Sequence, residues 1–133
     1  MNTSEEREQV FILLFEKSFN PELDADAIYK IAIGDEIIHS TAYTEDLFKT
    51  TLDNIDKIDS LISRFSKERS FERISKVSLA VLRLAVCEIR FFEKVPVGVS
   101  INEAVNLCKK YGSEDEYAFV NGILGSIARE EEK

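Results

Sequence analysis

The chain has 133 residues, 44% hydrophobic and 32% charged, with five Gly, two Pro and a formal net charge of −8. That length supports one domain, residues 1–133, around a single core, and the composition suits a helix-rich globule. The acidic balance excludes indiscriminate nucleic-acid binding, no apolar run approaches the roughly 18 residues of a membrane span, and MNTSEEREQV lacks the basic-then-apolar order of a secretory signal, so the chain is read as cytoplasmic.

A first helix is expected over about 4–18, where Val10, Phe11, Leu13, Leu14 and Phe15 form a broad apolar face. Asn20-Pro21 stops it, because a residue before proline is pushed out of the helical region. A second helix is expected over roughly 22–33, ending at Gly34. A third, long helix follows, with Leu47, Leu52, Ile55, Ile58, Ile62 and Phe65 at near-heptad spacing and Thr44 as its N-cap.

The segment ERISKVSLAVLRLAVCEIRFFEK is apolar around most of its circumference and is the expected central helix. Beyond Pro96, Ser100 and Glu103 have the spacing of a capping box. Ile101, Ala104, Val105, Cys108 and Tyr111 form the expected buried face of that helix, and Gly112 the left-handed residue that ends it. Ser113 and Glu116 repeat the capping box before a last helix with Val120, Ile123, Leu124, Ile127 and Ala128 inward. The tail REEEK is expected to be frayed. No strand alternation occurs, so the fold class is all-α, a single-domain bundle of six or seven helices.

No catalytic constellation is present. GSEDEYAFVNG lacks the lysine and glycine spacing of a phosphate-binding loop, and one histidine, His39, cannot build convincing nucleophilic machinery. Cys87 and Cys108 sit in apolar periodic runs as small core side chains. With His39 they fall short of the roughly four ligands of a zinc site. No cofactor, metal or enzyme activity is therefore expected.

A binding role remains. In residues 63–76, Arg64, Lys67, Arg69, Arg73 and Lys76 face only Glu68 and Glu72, a local balance of +3 that leaves −11 for the rest. That island is either a phosphate-contacting patch or a solvated helix face. Asn121-Gly122 interrupts an apolar helix, and glycine there costs about 1 kcal/mol relative to alanine. The expected compensation is close approach of another helix at Gly122 and a hydrogen bond from Asn121 to a neighbouring chain end.

The run from residue 80 to 128 resembles the C-terminal half of the NusB family of bacterial transcription antitermination factors. It carries Leu82-Arg83, Ala85, Glu88, Val95-Pro96, Ile101-Asn102-Glu103-Ala104-Val105, Lys109, Tyr111-Gly112 and Phe119-Val120-Asn121-Gly122. The stretch EREQVFILLFEKSF is similar to the family's first helix. The resemblance implies two three-helix units and a non-enzymatic adaptor. Its implied partners are single-stranded boxA RNA of nascent ribosomal transcripts, the ribosomal protein NusE and an RNA polymerase antitermination complex.

Carried over by position, the RNA-binding residues are Arg7 and Phe119, joined by Lys109 and Lys110 and by Arg73 and Lys76 of the basic island. The NusE-facing residues are Phe15, Ser78 and Asp115. Two departures stand out. Glu5 and Glu6 replace cations of the family's basic arm, and Ser78-Leu79 replaces an acid–base pair. They motivate a second reading, a divergent protein-interaction module, possible as a homodimer, with weak or lost boxA binding. A third is a stand-alone equivalent of the NusB-like domain fused to some ribosomal RNA methyltransferases.

Overall fold

The computed structural model describes residues 3–39 and 41–131. They form seven α-helices: α1 (Thr3–Phe19), α2 (Ala25–Gly34), α3 (Ala42–Asp53), α4 (Ile55–Phe65), α5 (Lys76–Phe91), α6 (Val97–Tyr111) and α7 (Glu114–Glu131). A 3-10 turn, Phe71–Arg73, precedes α5. No strand occurs among the described residues.

Helices α1, α2 and α3 pack on one another, and so do α5, α6 and α7. These are the two three-helix units. Helix α5 joins them, packing against α1, α3, α4, α6 and α7. Val81, Leu82, Leu84, Ala85, Val86 and Cys87 are all buried on it, as its all-round apolar pattern predicts. Cys108 is buried as well, and burial pushes both thiols up to about 12. Arg83 of α5 grips Asp59 of α4 with two parallel contacts of 2.8 Å, fixing α4 on the bundle.

Several boundaries differ from expectation, each for a local reason. The long third helix is two, broken at Asn54 (φ −117°, ψ 19°). The Asn54 side-chain amide donates to the Thr50 carbonyl at 2.9 Å and competes with helix continuation. Thr44 is buried, and the N-cap is Thr41, whose hydroxyl accepts from the Thr44 amide at 3.2 Å. Helix α2 starts only at Ala25, where Asp24 caps the Ala27 amide at 2.8 Å.

Ser100 is not a cap. The chain turns helical directly after Pro96, whose carbonyl accepts from Val99 and Ser100, and Ser100 lies inside α6. The Ser113–Glu116 box does form: the Ser113 amide donates to Glu116 at 2.8 Å and the Glu116 amide to Ser113 Oγ at 3.3 Å. Gly112 is extended (φ −119°, ψ −158°), not left-handed. A side chain there would crowd Glu116 and stand 3.1 Å from the Cys108 carbonyl, so the need for glycine is steric. Tyr111 is exposed rather than inward.

Gly122 is also on the surface, and a Cβ there would meet nothing within 4 Å. Among the described residues no helix approaches it, and Asn121 is exposed. The tail is helical to Glu131. Arg64 holds Glu130 at 2.8 Å and Arg90 holds Glu131 at 2.7 Å. Glu132 and Lys133 lie outside the described residues.

Candidate nucleic-acid and partner interface

Helix α1 brings two kinds of side chain to the surface it shares with α5 and α6. Along one edge runs an aromatic ladder. Tyr111 meets Phe11 at 4.8 Å between ring centroids, Phe11 meets Phe15 at 5.9 Å, and Phe15 meets Phe19 at 5.0 Å. The four-residue spacing on α1 produces it, since such positions stack on one helix face. Lysines close both ends: Lys110 lies 5.4 Å from the Tyr111 ring and Lys76 lies 5.0 Å from Phe19. Phe19 and Tyr111 are largely open to solvent, while Phe15 is half-buried.

Lys110 also pairs with Glu8 at 2.5 Å, and Tyr111 donates to the same carboxylate at 2.7 Å. Lys110 first, then Tyr111, holds the Glu8 carboxyl below its ordinary value. The pair in turn raises the Lys110 ammonium. Lys109 is exposed beside the Tyr117 ring at 5.4 Å.

Arg7 is elsewhere. It is 4% exposed, and its Nε contacts both oxygens of Glu88 at 2.8 and 2.9 Å. Glu88 is 1% exposed and also accepts from the Tyr43 hydroxyl and from Ser100 Oγ, the latter at 3.0 Å. Burial first, then the bond to Glu88, pushes the Tyr43 hydroxyl upward. One carboxylate thus ties α1, α3 and α6 to α5. The burial of Arg7 follows from this chemistry: a glutamate inside an apolar helix face needs a cation against it.

The N-termini of α5 and α7 meet through Glu116. Ser75 caps the Ser78 amide at 3.0 Å and donates its own hydroxyl to Glu116. Asp115 is exposed beside this junction. Ser78 is fully buried, its hydroxyl lacking a partner, so it does not reach the surface on which a partner would sit. Phe119 is 8% exposed, under the Arg69 guanidinium. Arg73 and Lys76 are exposed on the basic island, and Lys76 Nζ donates to the Ser18 carbonyl at 3.3 Å.

The NusB family model matches residues 4–129. The chain belongs to the NusB family. A transcription antitermination protein NusB from Natranaerobius thermophilus is 38% identical over 128 residues, covering 93% of this chain and 92% of its own length. Solved structures agree. The NusB of T. maritima superposes with a TM-score of 0.86 at 35% identity, over 98% of this chain and 92% of that one. A crystal structure of the antitermination factors NusB and NusE in complex with dsRNA superposes at 0.82 with 28% identity, over 96% of each chain.

Within this NusB fold, the residues singled out from sequence separate into three places. Phe15, Lys76 and Lys110 share the aromatic edge of α1. Phe119 and Asp115 lie on α7, with Lys109 of α6 beside Tyr117 of that helix and Arg73 on the turn that leads to α5. Arg7 and Ser78 are internal. The sequence names Glu88 only as part of the family resemblance, with no role, and Arg69 only as one charge in an island. The signal for Glu88 was present, since AVCEIRF puts an acid where the apolar pattern is continuous. The signal for Arg69 was not, because nothing in sequence spacing joins it to Phe119.

Proposed function

We propose that this chain is a transcription antitermination adaptor that binds unpaired boxA RNA jointly with NusE and performs no catalysis itself. It works in the cytoplasm as part of an RNA polymerase antitermination complex. The observation that carries the reading is near full-length similarity to NusB proteins, including one solved together with NusE and RNA.

The exposed cations Arg73, Lys76, Lys109 and Lys110 serve as phosphate contacts. Arg7 acts from inside, holding α1 in place through Glu88. Phe15 and the exposed aromatic edge of α1 meet NusE, with Asp115 offering an acid to a basic partner. Ser78 contributes by shaping the start of α5 from beneath. Glu5 and Glu6 occupy the first turn of α1 and lower phosphate affinity there, so the composite surface formed with NusE supplies what the chain alone does not.

The test is a titration of a boxA oligomer, with and without NusE, at two salt concentrations. The pair is expected to prefer boxA over a scrambled oligomer, with affinity falling as salt rises. Equal binding to both sequences would rule the adaptor reading out.

A further inference from the structure

Between the end of α4 and the face of α7 lies a groove of about 620 Å³. Phe65, Lys67, Arg69, Phe119 and Gly122 line it. The Arg69 guanidinium carbon stands 3.9 Å from the Phe119 ring centroid, within van der Waals contact. The ring is 8% exposed, so it has no free face to offer a base. The half-buried guanidinium that covers it lines the groove instead. No ion pair or hydrogen bond engages it among the described residues, in contrast to Arg7, Arg64, Arg83 and Arg90. Its loop is fixed by the Ser66 hydroxyl, which donates to the Arg69 carbonyl at 2.6 Å.

The groove's charges cancel, with Lys67 and Arg69 set against Glu68 and Asp115. A track for backbone phosphates needs a cationic surplus; a planar, neutral nucleobase does not. Guanidinium planes stack on unpaired bases as aromatic rings do. Gly122 lines the same groove as bare backbone, and among the described residues no packing requires glycine there.

We infer that Arg69, backed by Phe119, is a stacking platform for one unpaired RNA base, which lies across the open backbone of Gly122. This rests on the RNA-binding reading above.

The test uses the full chain with NusE and boxA oligomers carrying 2-aminopurine, a fluorescent adenine analogue, at successive positions. Binding is expected to quench one position strongly. Arg69→Lys keeps the charge and removes the plane. It should lower affinity about tenfold, in the range of one lost stack, leave the salt dependence unchanged and abolish that quench. Gly122→Ala is the second arm. It should raise Tm yet weaken RNA binding several-fold, a combination that loss of folding cannot produce. If Arg69→Lys binds and quenches like the wild type, or only Arg69→Gln loses affinity, Arg69 is not a platform, and the adaptor reading survives. If the wild-type pair shows no boxA preference, both fall together.

Discussion

Replacing Glu88 by Gln is nearly isosteric, yet it should be among the most damaging single changes available. The carboxylate is 1% exposed and answers Arg7 Nε with both oxygens, besides Ser100 and Tyr43. Glutamine keeps one acceptor oxygen where the two hydroxyls use both, and it leaves the guanidinium, at 4% exposure, with only the Glu103 carboxylate 3.9 Å away against its charge. Losing one member of a buried pair costs about 3–5 kcal/mol. With an unfolding entropy of about 2.1 cal/mol/K per residue over 133 residues, Tm should fall by about 11–18 °C.

The pair is more a constraint than a source of stability, and the same geometry gives the control. Arg7→Met with Glu88→Leu removes both charges and fills the space with apolar atoms, a change that is often neutral or stabilising. Ser100 Oγ and the Tyr43 hydroxyl then lose their acceptor, at about 1–3 kcal/mol for a buried group. The double variant should therefore recover most of the loss, not all. Urea unfolding of wild type, Arg7→Met, Glu88→Leu and the double variant in a double-mutant cycle measures it, with Glu88→Gln unfolded alongside. Losses that simply add, or Glu88→Gln within about 1 kcal/mol of wild type, would refute the argument.

Three further outcomes are expected. Because Lys110 and Tyr111 hold the Glu8 carboxyl below its ordinary 4.5, its stabilisation is present above that pH and lost as pH falls through the lower, folded value; Tm of wild type and Glu8→Gln should differ at pH 7 and converge below pH 4.5. Glu5→Arg should raise affinity of the NusE-bound chain for boxA and steepen its salt dependence by about one to two phosphate contacts, whereas an unchanged slope would place the first turn of α1 away from the RNA. Ser78→Ala removes a buried hydroxyl that has no partner, so thermal unfolding should show it neutral or slightly stabilised, unlike the usual cost of truncating a bonded group.

The helices were legible because their causes are local. The apolar circumference of residues 72–94 predicted the central helix, which forms as Lys76–Phe91, and the Ser113–Glu116 spacing predicted a cap that forms. What sequence concealed depended on partners far along the chain. Ser100 has the spacing of a cap but faces Glu88 once Pro96 has started the helix three residues earlier. The near-heptad stripe runs through Asn54 without a break, yet the Asn54 side chain ends the helix. Arg7 matched a surface cation by position, and only the approach of α5, 81 residues away, turns it inward.

That inward turn changes how the acidic first turn of α1 should be understood. Glu5 and Glu6 can be exchanged for cations without disturbing the core, because Glu5 is exposed and Glu6 accepts from the Thr41 hydroxyl. Arg7 cannot be exchanged so cheaply, because Glu88 would be left charged and alone inside the bundle. Arg7, the basic residue of that turn, is thus one the fold requires. Its role is to hold α1 against α5, whereas Arg73 and Lys76 of the island before α5 and Lys109 and Lys110 at the end of α6 have exposed side chains.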